Sequence, residues 1–223
     1  WIFSLVSFLM CVTLIFTNFP EKKKHNRENK EKLNTYIMLI KNPIVILYFF
    51  GIFSYVGLEQ GVANWISKFL EIYHSLDPQN MGAKIISYFW GLMTLGTFSG
   101  LFLLKIIDSR RILIFFTSAS IISLLISLFG PLKVSLFSFP LIGFFISTMW
   151  SIIISLALNS MSNNHGAFSG ILVSGIIGGA VFPLTVGILA DFAGLKVGMT
   201  LLLIPLLFIL SIGFWSRPLV NNK

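Results

Sequence analysis

Apolar residues in this chain run in long, nearly unbroken stretches, without the short-period alternation of a water-exposed helix or strand, and polar clusters punctuate them. Stretches near the ~20 residues that a helix needs to cross a bilayer occur seven times. They are Trp1 to Phe19, Ile44 to Ile66, Ile85 to Leu104, Ile112 to Gly130, Val134 to Leu158, Ala167 to Ala190 and Val197 to Trp215. The pattern predicts an all-α, polytopic membrane helix bundle. One span (1–19) is separated by a polar linker (20–43) from six more (44–216), and a short tail (217–223) follows.

The second span departs from this apolar monotony. Tyr55-Val-Gly-Leu-Glu-Gln-Gly-Val-Ala-Asn-Trp65 places a carboxylate, two amides and two aromatics inside a membrane-length segment. An ionisable group at that depth costs roughly 3 kcal/mol or more, so it faces a bundle interior or a wet cavity. At about 100 degrees per residue, Tyr55, Glu59, Gln60, Asn64 and Ser67 spread over half the helix circumference, which suits a cavity wall better than a narrow seam. The other reading is a protonated Glu59 bonded to a neighbouring helix without touching any solute. Gly57 and Gly61 form a GxxxG that admits a second helix closely.

Two glycine patterns match, Gly91-x4-Gly96-x3-Gly100 in the third span and Gly170-x4-Gly175-x3-Gly179 in the sixth. They suggest an internal repeat of three plus three spans, hence of opposite orientation, although abundant glycine produces such spacings by chance. The fifth span carries Ser147, Ser151, Ser155 and Asn159 at four-residue intervals, with Thr148 and Trp150 alongside. This stripe is either back-bonded to its own helix or a second cavity wall. Pro183 and Pro205 predict kinks, static or gating, and Asn164 is placed as the N-cap of the sixth span.

Composition supports the membrane assignment: 56% hydrophobic and 11% charged leaves too little polar surface for a water-soluble domain of 223 residues. The net charge of +8 does not indicate nucleic acid, because of where the charges fall. Lys68, Lys84, Lys133 and Lys196 fall on one side of the seven spans, and the other twelve Lys and Arg fall opposite, which places the richer side in the cytoplasm. The run from Glu21 to Lys32 is then a cytoplasmic tether and topology determinant, or a binder of anionic headgroups. A single cysteine, Cys11, excludes an intrachain disulfide, and His25, His74 and His165, read as loop residues, lack metal-ligand spacing, so no metal or cofactor is expected. Trp1 opens directly inside an apolar span without a basic leader, which reads as the back part of something longer.

The segment from Tyr55 to Trp65, the helix Tyr88-Phe-Trp-Gly-Leu-Met-Thr-Leu-Gly96, Ser155-Leu-Ala-Leu-Asn159, and above all Gly170-Ile-Leu-Val-Ser-Gly-Ile-Ile-Gly-Gly-Ala-Val-Phe-Pro183 running to Gly187-Ile-Leu-Ala-Asp191 resemble the fucose permease branch of the major facilitator superfamily. The resemblance covers roughly Ile44 to Trp215. It implies the C-terminal six-helix bundle of a twelve-helix fold, with Trp1 to Phe19 the last helix of a missing N-terminal bundle. It further implies uptake of a hexose-type sugar with proton symport by alternating access, in the plasma membrane (the inner one in a bacterium). Glu59, Gln60 and Asn64 would then bond sugar hydroxyls; Tyr55, Trp65 or Trp90 would offer a ring face; Ser151, Ser155 and Asn159 would line the second wall. The chain departs from the superfamily at Gly96-Thr97, where Gly-Arg is frequent, and in the loop Asp108 to Arg111, a remnant of the usual Gly/Asp/Arg signature.

Two other classes compete. A seven-helix receptor fits the span count, although the retinal type would need a lysine in the last span, and Val197 to Trp215 has none. An intramembrane enzyme would need a nucleophile beside a base; the serines have no intramembrane His and there is no GxSxG, so no enzymatic activity is expected.

Overall fold

The computed structural model describes residues 2–17 and 34–216, and every structural statement below concerns these. Phe19, most of the basic linker with His25, and the tail 217–223 lie outside them. Described by itself, α1 (Ile2–Phe16) is a predominantly apolar helix of 15 residues without a charged side chain. The second unit holds six helical segments long and apolar enough to cross a membrane, and with the shorter α1 the count is consistent with the seven expected spans.

A short helix α2 (34–40) precedes α3 (Pro43–His74), which starts where Asn42 accepts the Ile44 amide at 2.9 Å and Pro43 occupies the first turn. This helix continues two turns beyond Ile66, the predicted end. Lys68 and Glu71 pair at 2.9 Å across one turn, and left-handed Ser75 closes it with its amide on Glu71 and Leu70. A π-helical turn (Pro78–Gly82), opened by Asp77, leads into α4 (Ala83–Ile106). Asp108 caps α5 (Ser109–Phe129), and Gly130-Pro131 separates it from α6 (Leu132–Ile146) and α7 (Met149–Leu158).

The last three predicted spans are each interrupted. Between α6 and α7 the Ser147 hydroxyl donates to the Phe144 carbonyl at 2.7 Å, a back-bond that loosens the helix there. A 3-10 turn (Gly175–Ile177) separates α8 (His165–Ser174) from α9 (Gly178–Ala193). The turn at Leu201-Leu202 lies between α10 (Leu195–Thr200) and α11 (Leu203–Trp215), where Pro205 has no amide to offer the Leu201 carbonyl. Helix α9 runs on through Pro183, so the sixth span breaks at its glycines and not at that proline. Asn164 does precede α8, but in the left-handed region (φ 63°) and without a side-chain bond to the helix, so it is not an N-cap by side chain. His74 and His165 lie at helix ends, not in loops.

Helix pairing follows the three-plus-three division. Helix α9 packs on α3 and α4 on α6; likewise α11 packs on α3 and α5 on α6. Each first helix of a triplet thus receives the second helix of the other triplet and the last, as an inverted repeat requires. The least buried spans are α4 and α8–α9, at 17% and 22% of their apolar windows, which leaves their far faces open.

Candidate functional site

Polar chemistry in the bundle collects near the middle of α3. Tyr55 is buried, with its ring 5.9 Å from that of Trp150 on α7. Its hydroxyl lies beside the Glu59 carboxylate, one turn on, and the Gln60 amide nitrogen donates to Glu59 Oε1 at 3.2 Å. Both Glu59 and Gln60 are half-buried. Helix geometry sets the depth: from Pro43, Tyr55 stands ~18 Å along α3, close to the midplane of a ~30 Å hydrocarbon core, and Glu59 and Gln60 stand ~24–26 Å along it, beyond the midplane. Asn64, one turn beyond Gln60, is exposed on the same open side.

Glycines hold this cluster against its neighbours. A Cβ on Gly57 would overlap the Phe182 ring of α9, and one on Gly61 would meet Leu202 in the α10–α11 turn at 2.6 Å, so the GxxxG seats two different spans. The stem of Gln60 rests on Gly179. Trp65 is committed to structure: its indole nitrogen donates to the Pro183 carbonyl at 3.1 Å and its ring lies against Gly187.

The remaining predicted site residues do not join the cluster. Trp90 is 39% exposed on α4 and packs edge-on against Phe89. It shares the open polar face of α4 with Ser87, Thr94 and Thr97, whose hydroxyls back-bond to their own helix. Ser151 and Ser155 line a recess of about 160 Å³ with Lys105, Asp108 and Ser109, and Asn159 lies one turn beyond them at the end of α7. Ser155 is one turn from Ser151 toward the α4–α5 loop, while Glu59 is one turn beyond Tyr55 in the opposite direction. The two groups are therefore separated by ~12 Å along the membrane normal. At Ser147 the back-bonded reading holds.

At the loop end of the recess, Asp108 accepts the Arg110 amide at 2.8 Å, and the Arg110 guanidinium reaches the Ser216 carbonyl at 3.3 Å, joining the start of α5 to the end of α11. Sequence reasoning omitted Trp150 from the site. Its position beside Ser151 on the polar stripe was the available signal. Among the described residues no three His, Cys, Asp or Glu side chains converge as metal ligands.

Residues 1–175 match the family model for the Major Facilitator Superfamily. The chain is similar to a glucose/galactose transporter of Brucella abortus, 34% identical over 185 residues that span 80% of this chain and 42% of the relative. A putative glucose/galactose transporter of Helicobacter pylori is 29% identical over 83% of this chain and 44% of its own. Among solved structures, the superfamily transporter FucP in its outward conformation superimposes with a TM-score of 0.77 at 18% identity, covering 94% of this chain and 52% of FucP. A peptide transporter bound to sulfate gives 0.68 at 17% identity, over 81% of this chain and 39% of its own. The chain spans about half the length of the relatives it matches.

Proposed function

The chain belongs to the major facilitator superfamily as a multi-pass integral membrane protein of the plasma membrane, and from that premise we propose that it supplies one wall of an alternating-access path for a hexose-type sugar. The observation that carries the reading is the cluster of buried Tyr55 with half-buried Glu59 and Gln60, beside Trp150 within the membrane-spanning part of α3. A sugar presents hydroxyls around its rim and C–H groups on its faces. Carboxylate and amide groups match the rim, and an indole matches a face.

Glu59, Gln60 and Asn64 bond hydroxyls in this reading, Tyr55 orients the Glu59 carboxylate, and Trp150 offers the ring face. Trp65 positions α3 against α9, and Trp90 lies along the path. Ser151, Ser155 and Asn159 form a second polar station nearer the basic side of the membrane. The opposite wall is an N-terminal six-helix bundle of the same protein, and α1 is its last helix. The names of the relatives, two of them glucose/galactose transporters, support the substrate class and a transport role without catalysis. Proton symport completes the proposal, and the acid that carries the proton belongs to the opposite wall.

The test is uptake of labelled glucose, galactose and fucose by the full-length protein. Glu59→Gln keeps its shape and expression and loses most uptake of the transported sugar, and a protonophore abolishes accumulation by the unmodified protein. Normal uptake with unchanged half-saturation in Glu59→Gln removes that residue from the site.

A further inference from the structure

A groove of about 590 Å³ runs between α4 and α6. Tyr88, Gly91 and Leu95 line it on α4, and Leu136, Phe137 and Leu141 on α6. By helix geometry these α4 positions lie on the side opposite Trp90, Thr94 and Thr97, so the groove opens away from the polar face and toward lipid. Phe137 and Leu95 are 77% and 60% exposed there, unpartnered by any helix of the bundle.

The charges at the mouth of the groove say what fills it. Four lysines lie on the side of the membrane that carries few basic residues. Lys68 is neutralised by Glu71 at 2.9 Å, and Lys196 sits over the Tyr73 ring at 4.8 Å. Of the other two, Lys84 lines the groove with its ammonium 5.9 Å from the Tyr88 ring, and Lys133 is exposed on α6 one turn before Leu136 and Phe137. Neither pairs with a carboxylate among the described residues. Two ammonium groups without a carboxylate partner above an apolar channel match an amphiphile with an anionic head and a hydrocarbon tail.

We propose that the α4–α6 groove is a binding site for an anionic membrane phospholipid, its acyl chain lying along Gly91 and Phe137 and its phosphate held by Lys84 and Lys133. The site depends only on the membrane-spanning fold, whatever solute the bundle carries.

The full chain in nanodiscs of phosphatidylglycerol mixed equally with phosphatidylcholine provides the assay, with retained lipid counted by native mass spectrometry. The unmodified chain retains phosphatidylglycerol preferentially. Lys84→Gln with Lys133→Gln lowers that preference by about 5-fold for each lysine removed. Gly91→Leu has open space for its side chain, so it fills the groove without disturbing the bundle and reduces retention of both lipids. Gly91→Ala gives an intermediate loss. Equal retention of the two lipids by the unmodified chain overturns the anionic assignment. Unchanged phosphatidylglycerol retention in Gly91→Leu, with the lysine effect intact, reduces the site to surface attraction and overturns the groove.

Discussion

Where α9 meets α3, Gly178 lies so close to the Phe53 carbonyl that no Cβ fits; where α4 meets α6, Gly143 lies in the same way against the carbonyl of Phe89. The two seams are counterparts under the inverted repeat, and both bring backbone against backbone. Their side chains differ. The α3 seam has Glu59 and Gln60 along its open edge and an indole tie across it, whereas the α4 seam has back-bonded hydroxyls on one side of α4 and an apolar groove on the other. Shape repeats and chemistry does not. The repeat supplies two close helix contacts, and a solute site arises where one of them departs from its partner.

The largest test attacks the shared part. Gly178→Val forces a branched side chain into the Phe53 carbonyl, which belongs to the backbone of α3 and cannot turn aside. We expect a loss of about 3 kcal/mol, or failure to fold, read from detergent melting of the full chain. Gly143→Val does the same at the other seam. A wild-type melting point for one and collapse for the other would mean that the seams are not equivalent.

The second test attacks the difference. Gln60→Ala removes a donor from the Glu59 carboxylate and from any sugar, and we expect half-saturation for transport to rise about 10-fold. Thr94→Val on α4, whose hydroxyl is already spent on the Trp90 carbonyl, leaves transport unchanged. Equal effects would place the site on both seams.

Much of this was legible along the chain, because a membrane span announces itself by composition within one segment. So did the Tyr55 to Gln60 cluster, where polar residues stand out against an apolar background. Trp65 was read as a ring face because its partner, Pro183, is 118 residues away and nothing local marks the bond. Ser151 and Ser155 share a stripe with Ser147, but the direction of that stripe depends on the interruption at Ser147-Thr148, which packs against Gly96 and Gly100, some fifty residues away in the chain. The two extra turns of α3 failed the apolar criterion that defined the span, since Lys68 and Glu71 satisfy each other there.

Trp65→Phe sharpens the assignment of the indole. It deletes the bond to the Pro183 carbonyl together with the Cζ2 and Cη2 atoms that lie against Gly187, so stability falls by about 2 kcal/mol. Half-saturation for sugar stays within 2-fold of wild type if Trp65 is a tie, as we hold. A 10-fold rise with unchanged melting would instead make it a ligand.

The smallest effects belong to the ends of the bundle, where the repeat is reproduced by unlike means. On the basic side Arg110 donates to the Ser216 carbonyl at 3.3 Å, holding the start of α5 to the end of α11. Across the membrane, Lys196 on α10 lies 5.6 Å from the Phe129 ring at the end of α5, joining the same two spans at their other ends. The first tie is a cation on a helix C-terminus and the second a cation on a π face. Arg110→Gln and Lys196→Met should each lower stability by about 0.5 kcal/mol, because both side chains are partly solvated. Being at opposite ends of α5 without shared partners, the two losses should add within ~0.5 kcal/mol in the double variant. A double variant appreciably worse than that sum would show that α5 transmits strain along its length and that the outer pair of helices is coupled end to end.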